Sequence, residues 1–365
     1  MASMFGNHLR VSIFGESHGA AIGVTIDGLP AGACISMDIL QSFMQRRRGG
    51  QNAFSTPRAE SDIPEVLSGL YHEKTTGTPL CMMIRNQAAH SADYSKIADT
   101  PRPSHADFTA HCKWHGHADM RGGGHFSGRL TAPLCAAGGI ALQILASKGI
   151  YVGAHLASIG SASDDLFPFL PDSTLFSVIA SKPFPVISDE KGTVMQAEIL
   201  AAKADNDSIG GTIECAAIGL PAGLGDPMFD GIENRLAQVL FGIPAVKGVE
   251  FGDGFALSSM RGSQANDPFC IGENGEIATK SNHSGGIQGG ITNGMPLRLR
   301  VAIKPTPSIG VPQQTVSMRD KSETTIEIGG RHDPCIAQRA VPVVEAAVAC
   351  VLLDFLLENG TFGKE

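Results

Sequence analysis

The chain has 365 residues, enough to bury a substantial core, and carries 28 Lys and Arg against 36 Asp and Glu for a formal net charge of −8. That balance disfavours nucleic acid and anionic membrane as partners, so an anionic ligand has to be held by a local cluster of cations. Eight widely spaced cysteines with no CxxC pair argue against a zinc knuckle or a disulfide framework and predict reduced thiols in a cytoplasmic protein.

The N-terminal segment MASMFGNHLRVSIFGESHG lacks the continuous apolar stretch of a signal peptide, and no run of 18 apolar residues is read further on. A short strand, Val11–Phe14, leads into Gly15-Glu16-Ser17-His18-Gly19, a turn that projects Ser17 and His18 from a sheet end. Adjacent Ser and His are not a catalytic dyad, because neighbouring side chains on an extended turn point apart. His18 is a candidate proton carrier, with capping as the plainer alternative. A second strand at Gly23–Ile26 precedes a helix over Met37–Met44, which runs into Arg46-Arg47-Arg48-Gly49-Gly50. Cations suit a helix C-terminus, and one guanidinium of the triplet can also clamp a phosphate or carboxylate.

After a strand at Leu80–Ile84, the segment Pro101–Ala132 gathers His105, His111, His115, His117 and His125 with Arg102, Lys113, Arg121 and Arg129 around the run Gly122–Gly124. His115-Gly-His117 has chelating spacing, but no HExxH helix accompanies it and the surrounding cations repel a metal ion. Arginines beside glycine N–H groups suit phosphate or carboxylate better, so no metal is expected. The helix Leu130–Lys148 follows, with Gly138–Gly139 allowing another element close to its backbone. Further strands are read at Val194–Ala197, Gly211–Ile218 and Leu297–Ala302.

Gly329-Gly330-Arg331-His332-Asp333-Pro334-Cys335 is the third glycine-flanked loop and places a carboxylate before a proline, where it can serve as a base or an orienting group. A helix over Val341–Leu357 has apolar residues at helical spacing, while Glu345 and Asp354, nine residues apart, fall on opposite sides. Both apolar helices follow a candidate site loop, so the three loops are expected to form one composite pocket at helix N-termini that favour anions.

Taken together these residues resemble the chorismate synthase family along nearly the whole chain. The resemblance rests on Gly15–Gly19, Arg46–Arg48, Thr56-Pro-Arg58-Ala-Glu60-Ser-Asp62, Ser91-Ala-Asp93-Tyr94, Arg102-Pro-Ser-His105-Ala-Asp107, Pro221–Pro227, Pro244–Glu250, Ser281–Gly286, Lys304-Pro-Thr306 and Arg331–Pro334, all in family order. It departs from the commoner pattern at Ala53, Ala88 and Ser104, and in reading His125-Phe-Ser-Gly-Arg129-Leu-Thr131 after the glycines.

The resemblance implies an α+β fold, one domain over residues 1–365, with a helical layer between two antiparallel sheets and assembly as a homotetramer. It also implies a carbon–oxygen lyase that removes phosphate from 5-enolpyruvylshikimate 3-phosphate by anti-1,4-elimination to give chorismate. Reduced FMN is the implied cofactor, with NADPH as a reductant in some members. By the same resemblance His105 protonates the reduced flavin, His18 gives a proton to the departing phosphate, and Asp333 takes part in removing the C6 proton. Implied flavin contacts are His125, Phe126, Ser127, Pro244, Ala245, Gly289, Lys304, Pro305, Thr306, Pro307, Ser308 and Arg331, and implied substrate contacts are Ser17, Arg47, Arg121 and Arg129, with Arg331 again. A metal-dependent hydrolase or a non-catalytic phosphosugar binder would use the same histidines or arginines, but neither accounts for Asp333 together with the full series.

Overall fold

The computed structural model describes residues 3–50, 54, 60–86, 99–272, 275–329 and 333–361. Two five-stranded antiparallel sheets enclose a layer of helices. The first has the spatial order Met4–Phe5, Arg10–Gly15, Ala21–Asp27, Leu80–Arg85, Glu65–Ser68. The second runs Val246–Phe251, Leu297–Ile303, Gly211–Ile218, Tyr151–Ile159, Ala162–Ser163. Leu297–Ile303 alternates buried and half-buried positions along its whole length, as expected of a strand with one face on the core.

Between the sheets lie the helices Thr131–Ala146, against the first sheet, and Ala337–Glu358, against the second. They cross in backbone contact, because a Cβ on Gly138 would overlap Ala346. Gly139 receives Leu40 and Phe43 of the helix Met37–Gln45 in the same way. One continuous set of buried residues, from Leu9 to Leu356, joins both sheets through these helices.

The two central helices are long and apolar enough to cross a membrane by length and mean hydropathy alone. They are enclosed by the protein itself, with 94% of the apolar window of Ala337–Glu358 buried. Its two carboxylates anchor neighbouring elements on opposite sides. Glu345 accepts from Arg46 Nη1 and Nη2 at 2.6 and 2.8 Å and from the backbone of Ala154 at 3.0 Å. Asp354 accepts the backbone N–H groups of Asn7, His8 and Leu9 at 2.7–3.2 Å.

The strand expected at Val194–Ala197 is instead part of the helix Asp189–Ala204. Ser188 caps it by accepting from Lys191 N, Asp189 and Glu190 occupy its first turn, and Gly192, Met195 and Ile199 are buried at helical spacing. The C-terminal helix begins earlier than expected, at Ala337, and takes Pro342 into its second turn at the loss of one backbone donor.

Under the segment that leads to Asp189–Ala204, the second sheet holds a buried polar quartet. His155 Nε2 bonds Glu214 at 2.9 Å, its Nδ1 lies 3.3 Å from Asp164, and Arg298 donates to Glu214 at 2.6 Å. Burial opposes the imidazolium, but hydrogen bonds to Asp164 and Glu214 outweigh it and raise His155 above the ordinary imidazole value. Stability from this pairing is therefore complete below about pH 6.5 and is lost as pH rises through the raised value. The partner carboxylates, held low against their own burial by the same bonds, act in the opposite sense and withdraw support only in acid. His155→Gln is expected to lower the urea midpoint at pH 6 and to flatten the decline expected of the wild type as pH rises above about 6.5. An unchanged decline would place the titrating group elsewhere.

Candidate active site

The site grows out of the turn that joins Arg10–Gly15 to Ala21–Asp27. Their register pairs Gly15 with Ile22 and leaves Glu16–Ala20 beyond the sheet end, with His18 8% exposed. Ser17 N–H donates to Gly124 O at 3.1 Å, which fastens this turn to the glycine run. Gly122, Gly123 and Gly124 have φ of +62°, +93° and +54°, a path that other residues rarely take. A Cβ on Gly122 would lie 2.5 Å from His18 Nε2, and one on Gly123 would lie 3.3 Å from His105 Nε2. The bare turn is therefore a wall shared by both histidines.

His105 belongs to the loop before the helix Asp107–Trp114, and its Nδ1 lies 2.7 Å from Asp107 Oδ1. Burial alone would raise the Asp107 carboxyl, yet hydrogen bonds from Arg102 and His105 hold it far below the usual carboxylate range. The loop Lys304–Ser308 braces this one. Lys304 Nζ donates to Ser104 O and Oγ at 2.6 and 2.7 Å, and Arg102 Nη1 reaches Ser308 Oγ at 3.4 Å.

On the other side of the His18 turn, Asn86 Nδ2 donates to Glu16 O and Gly19 O, while its Oδ1 accepts from Arg129 Nε at 3.2 Å. Arg129 and Arg47 share the carboxylate of Asp62, which is 1% exposed. Arg47 also donates to Thr131 Oγ1 and Gly128 O. Burial first, with Arg339 and Arg129 adding like charge, pushes Arg47 down to about 10 despite Asp62. Arg339 donates to Asp333 at 2.7 Å and to Arg47 O at 2.9 Å. From Asp333 the contacts return through Pro334 O, which accepts from Ile209 N, and through Ser208 Oγ, which donates to Thr306 O. They close a ring that contains His18, His105, Arg129, Asp333 and Lys304.

The remaining expected residues fall at different distances from this ring. His125 is tied at both nitrogens, to Gly15 O at 2.8 Å and Ser3 Oγ at 2.7 Å, so only its ring face and edge are open to a ligand. Phe126 packs on Trp114, and Ser127 Oγ accepts from Arg129 N. Arg121 is exposed beside the glycine run, and its bidentate bonds hold the Asp119 carboxyl below its usual range against partial burial. Ala245, at φ +74°, follows Pro244 and accepts from Lys304 N. Pro305 packs beside Gly210, Pro307 O accepts from Gln313, and Thr306 Oγ1 is buried with no hydrogen-bond partner among the described residues.

Gly289 comes from the opposite end of a helix to Pro244 and Ala245. Gly290 beside it accepts from Ile232, at the start of the helix Ile232–Leu240, whereas Pro244 and Ala245 follow the far end, roughly 13 Å away by helical rise. Arg331, Ala53, Ala88 and Ser91–Tyr94 lie outside the described residues. His111, His115 and His117 are exposed, and among the described residues no three His, Cys, Asp or Glu gather as metal ligands.

Sequence reasoning gave no role to Asp62, Asn86, Asp107 or Arg339. Two of them left a signal, Asp62 as the last residue of the motif Thr56–Asp62 and Asp107 through the spacing Arg102-x-x-His105-x-Asp107.

Proton-exchanging side chains beside a surplus of guanidinium groups suit an enzyme acting on a small anionic substrate, and the β-α-β sandwich supplies rigid sheet and helix ends to hold them. The chorismate synthase family model matches residues 9–357. The chorismate synthase of Thermococcus gammatolerans is 48% identical over 357 residues, 98% of each chain. That of Methanothermobacter thermautotrophicus is 44% identical over 355 residues, covering 97% of this chain and 94% of the relative. A crystal structure of a chorismate synthase aligns with a TM-score of 0.77 at 29% identity, over 97% of this chain and 93% of that one. The chain belongs to the chorismate synthase family, lyases that act on a phosphate-bearing small molecule in the final step of the shikimate pathway and depend on a flavin.

Proposed function

We propose that this chain converts 5-enolpyruvylshikimate 3-phosphate to chorismate within the ring described above, with reduced FMN as cofactor, as a single-domain homotetramer in the cytoplasm. The observation that carries the reading is the Gly122–Gly123 wall, which holds His18 and His105 against adjacent glycines, while Asn86 ties the His18 turn to Arg129. In the elimination the C3–O bond breaks with its electron pair on the leaving phosphate, C6 gives up a proton, and a new double bond forms.

His18, beside Ser17 and the glycine N–H groups, is suited to protonate the phosphate. Asp333, held at one oxygen by Arg339, is suited to the proton-removal side. Arg121 and Arg129, with Arg331 by resemblance, serve the substrate's phosphate and two carboxylates, and Arg47 steadies Arg129 through Asp62.

The residues fit a flavin phosphate at Lys304–Ser308. Burial and the neighbouring Lys247 both lower the proton affinity of Lys304, a strain that an anion relieves, and Thr306 Oγ1 lacks a partner among the described residues. Ala245, after Pro244, accepts from Lys304 N there, and Phe126 and Ser127 follow the glycine run that faces His105. Reduced flavin, when bound, supplies an electron to the substrate and recovers it, which an elimination at a weakly acidic position needs. His105 then presents Nε2 to it as the proton-exchanging atom.

The test is phosphate release from 5-enolpyruvylshikimate 3-phosphate under anaerobic conditions, with dithionite-reduced FMN and an oxidised FMN control. Release with reduced flavin alone is expected, and NADPH in place of dithionite then decides whether the chain reduces its own cofactor. Folded protein that binds FMN and releases no phosphate would overturn the reading.

A further inference from the structure

We propose that Asp107, clamped by Arg102, is a positioning residue that fixes His105 as the Nδ1–H tautomer and so reserves Nε2 for proton exchange across the Gly123 wall. The proposal rests on the reading of His105 as a proton carrier. Each oxygen of Asp107 accepts two bonds: Oδ2 from Arg102 N and Nε at 2.9 and 2.7 Å, and Oδ1 from Arg102 Nη2 and His105 Nδ1, both at 2.7 Å. Arg102 and Asp107 side chains are 7% and 14% exposed, so water competes little for these bonds. A carboxylate bonded at four points cannot rotate, and the imidazole is held with it.

Arg102 Nη2 also lies 3.1 Å from His105 Nδ1, which raises the opposite tautomer as an alternative. An unprotonated Nδ1 would then point its lone pair at Oδ1 from 2.7 Å, against an anion with nothing between them. The proton therefore sits on Nδ1. Other charges around the ring are Lys304, held on Ser104, and His18 across the glycine wall. Asp107 also begins the helix Asp107–Trp114, whose Ala106 cap offers no side-chain bond. A carboxylate in a first turn favours a helix without touching catalysis, and the experiment has to separate that role from positioning.

Protein labelled with 15N at histidine, without ligands, reports the tautomer directly in long-range 1H–15N spectra. Wild type is expected to show His105 as Nδ1–H. In Asp107→Asn the amide oxygen stays with Arg102, its NH2 faces Nδ1, and the signal is expected to change to Nε2–H. The kcat should then fall by about 10²-fold or more, with KM changed by less than about threefold. Asp107→Glu keeps the charge and should recover a good part of kcat, and Arg102→Lys, which loosens the clamp without touching Asp107, should mix the tautomers if Asp107→Asn does not fold.

Retention of the Nδ1–H form in Asp107→Asn, or in Arg102→Lys if the asparagine variant is unfolded, would overturn the proposal. A lower melting temperature with wild-type tautomer and kcat would assign Asp107 to the helix and overturn it equally. Full activity in His105→Ala would remove the catalytic reading of His105 and leave the spectral result to judge the tautomer on its own.

Discussion

Asp62→Ala is expected to destabilise the protein by about 3–5 kcal/mol, because it strands two buried guanidinium groups on a single lost anion. Arg47 is 3% exposed and spends a nitrogen on Asp62, and the Arg129 side chain is 10% exposed with its Nη1 on the other oxygen. Among the described residues, the other carboxylate within ion-pair reach of Arg129 is that of Glu60, at 3.7 Å. Burial already pushes Arg47 down to about 10, so removing the anion that opposes this leaves a charge with no route to water.

Asp62→Asn keeps an acceptor and should cost less. Pairing Asp62→Ala with Arg129→Met should return part of the loss, since the second change removes one stranded cation. Sulfate should restore Asp62→Ala more than it affects the wild type, because an anion that binds the folded state alone stabilises it. Urea unfolding of the wild type and the three variants, with and without sulfate, gives the numbers. A loss below about 1 kcal/mol in Asp62→Ala would mean that the two arginines reach solvent by another path.

Asp62 also shows where sequence reading stops. Its partners lie 15 and 67 residues away, and no local pattern marks a lone aspartate as the shared anion of two arginines. Arg339 is legible as part of a helix, but its bond to the Arg47 carbonyl spans 292 residues. What could be read was local. Gly211–Ile218 appeared with its observed bounds because an apolar β-rich run ends in glycine on both sides. His18, His105 and the glycine run stood out because glycine beside a titratable side chain has little use in packing.

The carboxylates Glu345 and Asp354 were placed on opposite sides of their helix by periodicity alone, though not the groups they anchor. Tyr151–Ile159, by contrast, was passed over because its burial on both faces removes the alternation that marks a strand. Its His155 needs two carboxylates from elsewhere in the chain to be stable there.

Gly122→Ala is expected to lower kcat by about 10²-fold or more while FMN binding survives, because it moves His18 and leaves the Lys304–Ser308 loop untouched. The new Cβ would sit 2.5 Å from His18 Nε2 and 2.9 Å from Ser17 Oγ, and His18, being buried, has no solvent side into which to swing. The left-handed φ of +62° adds about 1–2 kcal/mol of backbone strain. Gly123→Ala meets His105 Nε2 at 3.3 Å, a contact that a few tenths of an ångström relieves, so its effect on kcat should be smaller. Gly128→Ala meets nothing within 4 Å and should leave both stability and turnover nearly unchanged. Steady-state kinetics and FMN titration on the three variants rank them. The order Gly122, Gly123, Gly128 follows only if the turn works as a rigid wall against the two histidines. Equal and small effects at all three would make it a passive linker, and the carrying observation for the proposed function would fall with it.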